Sequence, residues 1–532
     1  MNKRFYITTA IDYVNGQPHL GHAYEKIVAD VIARSRRSLG QEVFFLTGLD
    51  EHGQKVQQAA IAEGKTPQAY CDQLAADWKA FAKKLELTND DFVRTTEPRH
   101  KQFVQAILSK LHAAGQFYRA TYEGFYSTKE ETFLTEKDRL PDGTFDPSYG
   151  EVIKLKEDNY YFKLRDHQQW LIDYLEANPS FVQPDYRRNE VLGFLKNSTL
   201  EDLCISRPVA RLNWGIPLPF DEDFVTYVWF DALVNYISIP AAHGDPLLGR
   251  GSGVSVPGSG PRSAQPRTPD ASSQLQLWPA DIHVIGKDIL KFHAVFWPIM
   301  LKVMDLPLPK QILVHGWWQK DGAKISKSTG NIVDPIAIID EWGLDGFRFY
   351  VLRELDIGPD GNWTDAGFKS RYNAELANGL GNLVNRSLSM LKRYRNGVVP
   401  VKPEAGEVAK KVTSLAGQVQ AKLELYQLQA ALQDIWIIIT AANQYVDQTK
   451  PFNLAKDPAQ SKRLEEVLYN LGETCRVLAV LLRPFLPGTA TKIYAQLGLT
   501  GIPDKFDAAA WGGLSAGHKI GEPAPLFPRR ET

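Results

Sequence analysis

Cysteine is scarce. Three residues, Cys71, Cys204 and Cys475, stand far apart and odd in number, which excludes a disulfide framework and a Cys-x-x-Cys zinc knuckle and predicts a reducing compartment, the cytoplasm by default. An excess of one charge is missing too. With 61 Lys and Arg against 62 Asp and Glu the formal net charge is −1, so no global cationic field announces a nucleic-acid partner, and any such contact must be local. No run reaches about 18 uninterrupted apolar residues, and the opening MNKRFYITTAIDYVNG has neither an apolar h-region nor a transit-peptide composition, so neither a membrane span nor a targeting segment is expected. What is present is a chain of 532 residues, 44% hydrophobic and 23% charged. At about 100–200 residues per domain this predicts two to four domains and excludes a single small binding module.

Phe5 to Ala10 reads as a strand. After a polar turn with Asn15, Gly16 and Pro18, helical spacing places Ile27, Val28, Val31 and Ile32 on one face, and a second strand, Val43 to Thr47, runs into Gly48-Leu49-Asp50-Glu51-His52-Gly53. Strand, helix and strand in about fifty residues predict a parallel βαβ unit, whose ligands bind beyond the carboxyl ends of the strands. Residues 116–212 are aromatic, charged and turn-rich, an α+β insertion. Apolar strands such as Ile282 to Ile285 and Ile312 to Val314 then resume the sheet over 213–322. Between them Gly244 to Gln276, rich in Gly, Pro and Ser without an aromatic residue, predicts a flexible surface loop. From about 366 onward the pattern reads as helical throughout. Stripes Leu380/Val384/Leu388/Leu391, Leu428/Leu432/Ile435/Ile439/Ala442 and Leu468/Leu471/Cys475/Leu478/Leu482 predict a bundle.

Two strings carry chemistry. His19-Leu20-Gly21-His22 puts two imidazoles at a helix N-terminus, where backbone N–H groups favour an anion, with a glycine leaving room for a planar ring to approach. Lys324-Ile325-Ser326-Lys327-Ser328, in a glycine-bounded loop, reads as a cationic clamp for a polyphosphate. Each alone is as readily a solvated turn or loop; their joint presence points to a nucleotide.

In that order and on those elements the strings resemble the HIGH and KMSKS signatures of class I aminoacyl-tRNA synthetases. YITTAIDYVNGQPHLGHAYE, FLTGLDEHGQK, RPVARLNWGIPLPFD, VTYVWFDALVNY, HVIGKDILKFHAVFWPIML and DGAKISKSTGNIVDP resemble the methionyl-tRNA synthetase family through nearly the whole chain. The resemblance implies a Rossmann-type parallel-sheet catalytic domain (1–115 and 213–322) interrupted by a connective insertion (116–212), a KMSKS-bearing linker (323–365) and an all-α anticodon-binding bundle (366–532). It implies that L-methionine is activated by ATP with Mg²⁺ and transferred to tRNA(Met). His19, His22, Lys324 and Lys327 would be the catalytic residues. Ile11, Tyr13, Asp50, Trp229, Ala232, Tyr236 and His293 would bind the amino acid, Asp50 pairing with its ammonium. His19, Gly21, His22, Gly286, Lys287, Asp288 and Lys327 would hold ATP, and Asn382, Arg386 and Phe452 would read the anticodon, Phe452 standing where the family usually has tryptophan. On periodicity alone Trp229 and Tyr236 read as core residues of an amphipathic helix.

The chain departs from the family where relatives carry zinc knuckles. After Gly124-Phe125-Tyr126 comes Ser127-Thr128-Lys129-Glu130, and no Cys or His follows until His167, so a metal-free insertion without structural zinc is expected. No domain follows LFPRRET, which predicts a monomer. The insertion is too short for the editing unit of the Ile, Val and Leu enzymes, and no ligand set suits the zinc-bound substrate of the Cys enzyme. A free-standing nucleotidylyltransferase would lack the bundle, and a tRNA-binding relative without catalysis would not need His19, His22, Lys324, Lys327 and Asp50.

Overall fold

The computed structural model describes residues 4–14, 16–127, 132–134, 136–248, 276–324 and 333–530. Its centre is a seven-stranded, wholly parallel sheet. The strands are β1 (Arg4–Thr9), β2 (Asp12–Tyr13), β3 (Glu42–Asp50), β4 (Asp91–Arg94), β5 (Val182–Gln183), β6 (Ile282–Gly286) and β7 (Ile312–His315). From β3 the order runs through β1, β6 and β7 to β5, while β2 and β4 both pair with the end of β3. β1 breaks at Ala10 and Ile11 before β2 rejoins Leu49 and Asp50, and that gap leaves backbone facing the carboxyl edge, where open parallel sheets bind ligands. β5 lies inside 116–212, so that segment contributes one strand to the parallel sheet.

The first crossover helix, α1 (Leu20–Ser38), differs from its sequence pattern. Ile27, Val28, Val31 and Ile32 are buried as expected, but so are Glu25, Lys26 and Asp30. The helix is enclosed on all sides, because those charges are neutralised by partners inside the protein and do not face water. The helices that matter for the site are α2 (Gln54–Ala62) and α3 (Val228–Ala242), followed by α4 (Leu344–Glu354), which leads toward the bundle of α5 (Asn382–Arg395), α6 (Leu428–Thr449) and α7 (Ser461–Leu482). All three predicted leucine-rich stripes are buried there.

The insertion carries a four-stranded antiparallel sheet built on Phe117–Ser127 and Val152–Phe162. Asp245, buried, accepts from the amides of Leu277 and Trp278 at 2.6 Å each and so joins the two ends of the Gly/Pro/Ser excursion, whose residues 249–275 lie outside the described ones.

The expectation of helix throughout the C-terminal part is corrected beyond Gln496. Residues 497–530 run without a helix longer than the short turn Phe506–Ala509, because Gly498, Gly501, Pro503, Gly512, Gly513, Gly517, Gly521, Pro523, Pro525 and Pro528 interrupt it. Glu473, fully buried on α7, fixes this strap by accepting from the amides of Gly512, Gly513 and Leu514.

Sheet, linker and bundle meet at one buried ion pair. Asp30 of α1 and Arg348 of α4 are both fully enclosed, 2.8 Å apart. Asp30 also accepts from Arg34 and from Thr88, while Arg348 donates to the carbonyls of Phe485, Pro484 and Leu85. Burial alone would push the Asp30 carboxyl up, yet Arg348 and Arg34 hold it below the usual range. Removing one partner strands the other charge in the interior, so Arg348→Met is expected to cost about 3–5 kcal/mol, measured by chemical denaturation, and Asp30→Leu with Arg348→Met to cost clearly less than Arg348→Met alone. A double variant no better than the single would show that the charge itself is not what matters.

Candidate active site

A cavity of about 610 Å³ opens at the carboxyl ends of β1, β3, β6 and β7. Its wall brings together Ile11, Tyr13, His19, Gly21, His22, Asp50, Trp229, Ala232, Tyr236, Gly286, Asp288 and His293. These are predicted site residues from six separate stretches of sequence. Lys287 is not in the wall: its ammonium pairs with Asp360 at 2.7 Å and lies over the Trp317 ring. The Lys324 side chain and Lys327 lie outside the described residues. Asn382, Arg386 and Phe452 belong to the bundle, away from the cavity.

His19 is the N-cap of α1. Its Nδ1 accepts from the Gly21 amide at 3.1 Å, and the Nδ1 of His22 accepts from the His19 amide at 3.2 Å, a reciprocal cap made by two imidazoles. An imidazole nitrogen that accepts carries no proton, so each ring is set as the neutral form protonated on Nε2, a state that the positive end of the helix also favours. The rings stack with centroids 3.7 Å apart. Gly21 proves to serve this cap. A Cβ there would lie 3.0 Å from Cε1 of His19, so a side chain at this position would press on the capping ring, and Gly21 itself lines the cavity.

Behind the histidines lies a network of charges that the sequence did not suggest as part of the site. The Lys26 ammonium donates to the Ala10 carbonyl and to Glu25 at 2.9 Å each and meets Asp12 at 3.0 Å. Glu25 reaches His315 at 3.3 Å. Burial opposes the ionised form of Glu25, but Lys26 and His315 hold its carboxyl below the usual range. Burial instead pushes Asp12 up against the pull of Lys26, with Glu25 adding to the rise. Asp12, Glu25, Lys55, His315, Trp317 and Trp318 all reach the wall. No spacing rule marks them, since each is contributed by a single residue beside a strand end or helix start.

The apolar end of the cavity is built from α3 and the helical turn Phe292–Phe296, wound as a π-helix, a form common at functional sites. Trp229 is half-buried and stacks on Phe292 at 3.6 Å; Tyr236 is buried. The His293 Nδ1 faces the Ile289 carbonyl at 3.0 Å and must donate to it, so Nε2 accepts the Tyr236 hydroxyl proton at 2.7 Å. Burial lowers the His293 pKa to about 4, which keeps this end of the cavity without a cation near neutral pH. A second buried cluster braces α3 against the end of β3: the Asp231 carboxylate accepts from His52 and His100 at 2.6 Å each. Although burial would raise its pKa, the two histidines hold it low.

In the insertion, the Arg139 guanidinium lies between the rings of Phe125 and Phe145, 4.4 and 4.6 Å from their centroids, and pairs with Glu136. Among the described residues no three His, Cys, Asp or Glu side chains converge as a metal site. No helix there is long and apolar enough to cross a membrane.

A parallel sheet with a two-histidine cap at its carboxyl edge and a helical bundle downstream defines a class I aminoacyl-tRNA synthetase. Comparison with known proteins agrees: residues 5–145 and 147–388 match the family described as tRNA synthetases class I (M), and residues 401–531 match the anticodon binding domain of methionyl tRNA ligase. The chain belongs to the methionyl-tRNA synthetase family. It is 41% identical to the methionine–tRNA ligase of Bacillus subtilis over all of this chain and 78% of that protein, and 39% identical to that of Caldanaerobacter subterraneus over 99% and 79%. The structure superposes on Mycobacterium tuberculosis methionyl-tRNA synthetase in complex with methionyl-adenylate with a TM-score of 0.88 at 37% identity, covering 99% of this chain and all of that one.

The buried state of His293 has a measurable consequence. Folded, it stays neutral to about pH 4, whereas unfolded it titrates near 6.5. The unfolded chain therefore binds the extra proton between these values, and the stability present above pH 6.5 is lost as the pH falls toward 4. His293→Gln is expected to flatten that decline by up to one proton, measured from unfolding free energies at stepped pH. Identical slopes would contradict the buried, neutral imidazole.

Proposed function

We infer that this chain catalyses methionine–tRNA ligation: methionine is activated by ATP to methionyl-adenylate with release of pyrophosphate, and the acyl group passes to the 3′ end of tRNA(Met). The observation that carries the reading is the junction, in one cavity, of the imidazole cap, the Asp50 carboxylate and an uncharged aromatic pocket. In the first step a methionine carboxylate oxygen bonds to the α-phosphorus and the bond to the β-phosphate oxygen breaks. No protein nucleophile is needed, so the protein's work is positioning and charge stabilisation.

The Nε2–H groups of His19 and His22 are the donors suited to the phosphate oxygens, and their capping bonds hold them ready before substrate arrives. Lys324 and Lys327 would add charge as it develops on the departing pyrophosphate. Mg²⁺ enters with ATP as part of the substrate, which suits a cavity whose lining carboxylates are mostly engaged by protein partners. Asp50 takes the substrate ammonium. Trp229, Ala232, Tyr236 and His293 enclose the thioether, where aromatic faces favour sulfur and a neutral His293 offers no cation. The guanidinium between Phe125 and Phe145 supports an insertion closed by packing in place of zinc.

At the far end, Arg386 pairs with Asp447 at 3.1 Å on the surface. An exposed pair of this kind is worth at most about 1 kcal/mol, so a base edge can displace the aspartate. Phe452, three residues past the end of α6, is 44% exposed, an open ring on which an unpaired base can stack. With half-buried Asn382 they make a reader for a CAU loop.

Methionine is expected to support ATP–pyrophosphate exchange far better than leucine or isoleucine; equal stimulation by leucine would refute the assignment. Phe452→Ala is expected to cost about 1–3 kcal/mol in kcat/KM for tRNA charging while tRNA-free exchange stays near wild type. A parallel loss of both activities would place the ring in the structural core of the bundle.

A further inference from the structure

The cavity wall carries four carboxylates, Asp12, Glu25, Asp50 and Asp288, and a single Lys or Arg side chain among the described residues, Lys55. Asp12 and Glu25 share Lys26, and Asp288 accepts from the Trp317 indole at 3.2 Å. Asp50 and Lys55 are the opposite charges that meet the cavity around Tyr13. Tyr13 and Asp50 are backbone partners where β2 joins β3. The half-buried Lys55, in the first turn of α2, holds its ammonium 5.8 Å from the centre of the Tyr13 ring. Gly53, at φ +121°, lets this approach happen: a Cβ there would stand 2.4 Å from the Tyr13 hydroxyl oxygen, so the chain can turn into α2 directly beside that ring.

We propose that Lys55 binds the α-carboxylate of the amino-acid substrate, so that Asp50 and Lys55 together recognise the two charges of the zwitterion. This rests on the reading of the cavity as a methionine site. An amino acid entering a half-enclosed cavity brings a carboxylate as well as an ammonium, and the carboxylate must surrender part of its hydration. In a wall so rich in acids it would be repelled unless a cation stood near the ammonium site. Lys55 is placed to be that cation, and its flexible stem allows the ammonium to follow the carboxylate as it moves toward phosphorus. The interaction belongs to the ground state, so its loss should raise the methionine KM much more than it lowers kcat.

The test compares L-methionine with L-methioninol, which keeps the ammonium and the thioether but has a hydroxyl in place of the carboxylate. Dissociation constants are measured calorimetrically for wild type, Lys55→Met and Lys55→Arg, with methionine-dependent exchange of the wild type as control. Loss of a charge-assisted hydrogen bond predicts that Lys55→Met weakens methionine binding about 10- to 100-fold and leaves methioninol within about twofold, whereas Lys55→Arg retains most methionine affinity. Equal weakening of both ligands would overturn the inference by showing that Lys55 acts through the packing of Tyr13, and unchanged methionine affinity would overturn it directly. A wild type that binds neither ligand and shows no exchange would overturn the functional reading, and this inference with it.

Discussion

The buried pair between Asp30 and Arg348 is the constraint on which the relation between the parts depends. α1 begins at the histidine cap and, eight residues past His22, presents Asp30 to Arg348, which in turn grips the carbonyls at the corner where α7 ends. A helix of 19 residues is a stiff rod of about 28 Å at roughly 1.5 Å per residue. Anything that shifts the bundle corner is therefore carried to the base of α1 without a flexible joint. Such a pair adds little to net stability compared with apolar packing, but its fixed geometry admits one arrangement of the parts, which suits a protein whose chemistry and tRNA-reading surface are far apart.

The same economy governs the cavity. Three of its histidines are neutral for two different reasons: His19 and His22 because their Nδ1 atoms cap a helix, and His293 because it is buried against a carbonyl and a phenol. Among the described residues the wall carries four carboxylates and a single Lys or Arg side chain, Lys55, a balance that favours an ammonium over an anion. On the proposed function, polyphosphate charge has to be met by cations that arrive with the nucleotide or by Lys324 and Lys327. If Trp229 and Tyr236 enclose the substrate side chain as proposed, that separation serves selectivity: a cation beside them would invite acidic side chains, and a neutral aromatic wall does not.

Much of this was legible in the sequence, because the features concerned are local. Strand, cap and helix follow one another at His19 to His22, and the three leucine stripes need only a period of 3.6 residues. What was not legible depends on distant partners. The burial of Glu25, Lys26 and Asp30 has no local signal, since periodicity cannot show partners as remote as His315 and Arg348. The strap after Gln496 carries enough glycine and proline to break helices, but its attachment through Glu473 is a tertiary fact. Lys55 has no signature in the sequence, since its place in the cavity wall beside the Tyr13 ring is a tertiary fact.

The two working ends of the molecule use charge in opposite ways. At the cavity, ionised groups are enclosed and multiply bonded, Lys26 with three acceptors and Asp231 with two histidines, so their positions are fixed by the protein before any ligand arrives. At the bundle tip, Arg386 holds Asp447 in water and Phe452 leaves nearly half its ring exposed. Reading a base requires a side chain to exchange one partner for another, and that exchange is cheap only when the first partner is worth little. A buried Arg386 pair would make the tip more rigid but would set the cost of releasing the guanidinium against every anticodon, matched or not. With Arg386 and Phe452 as the proposed readers, selectivity at that surface would depend on weak bonds as directly as the proposed catalysis at the cavity would depend on strong ones.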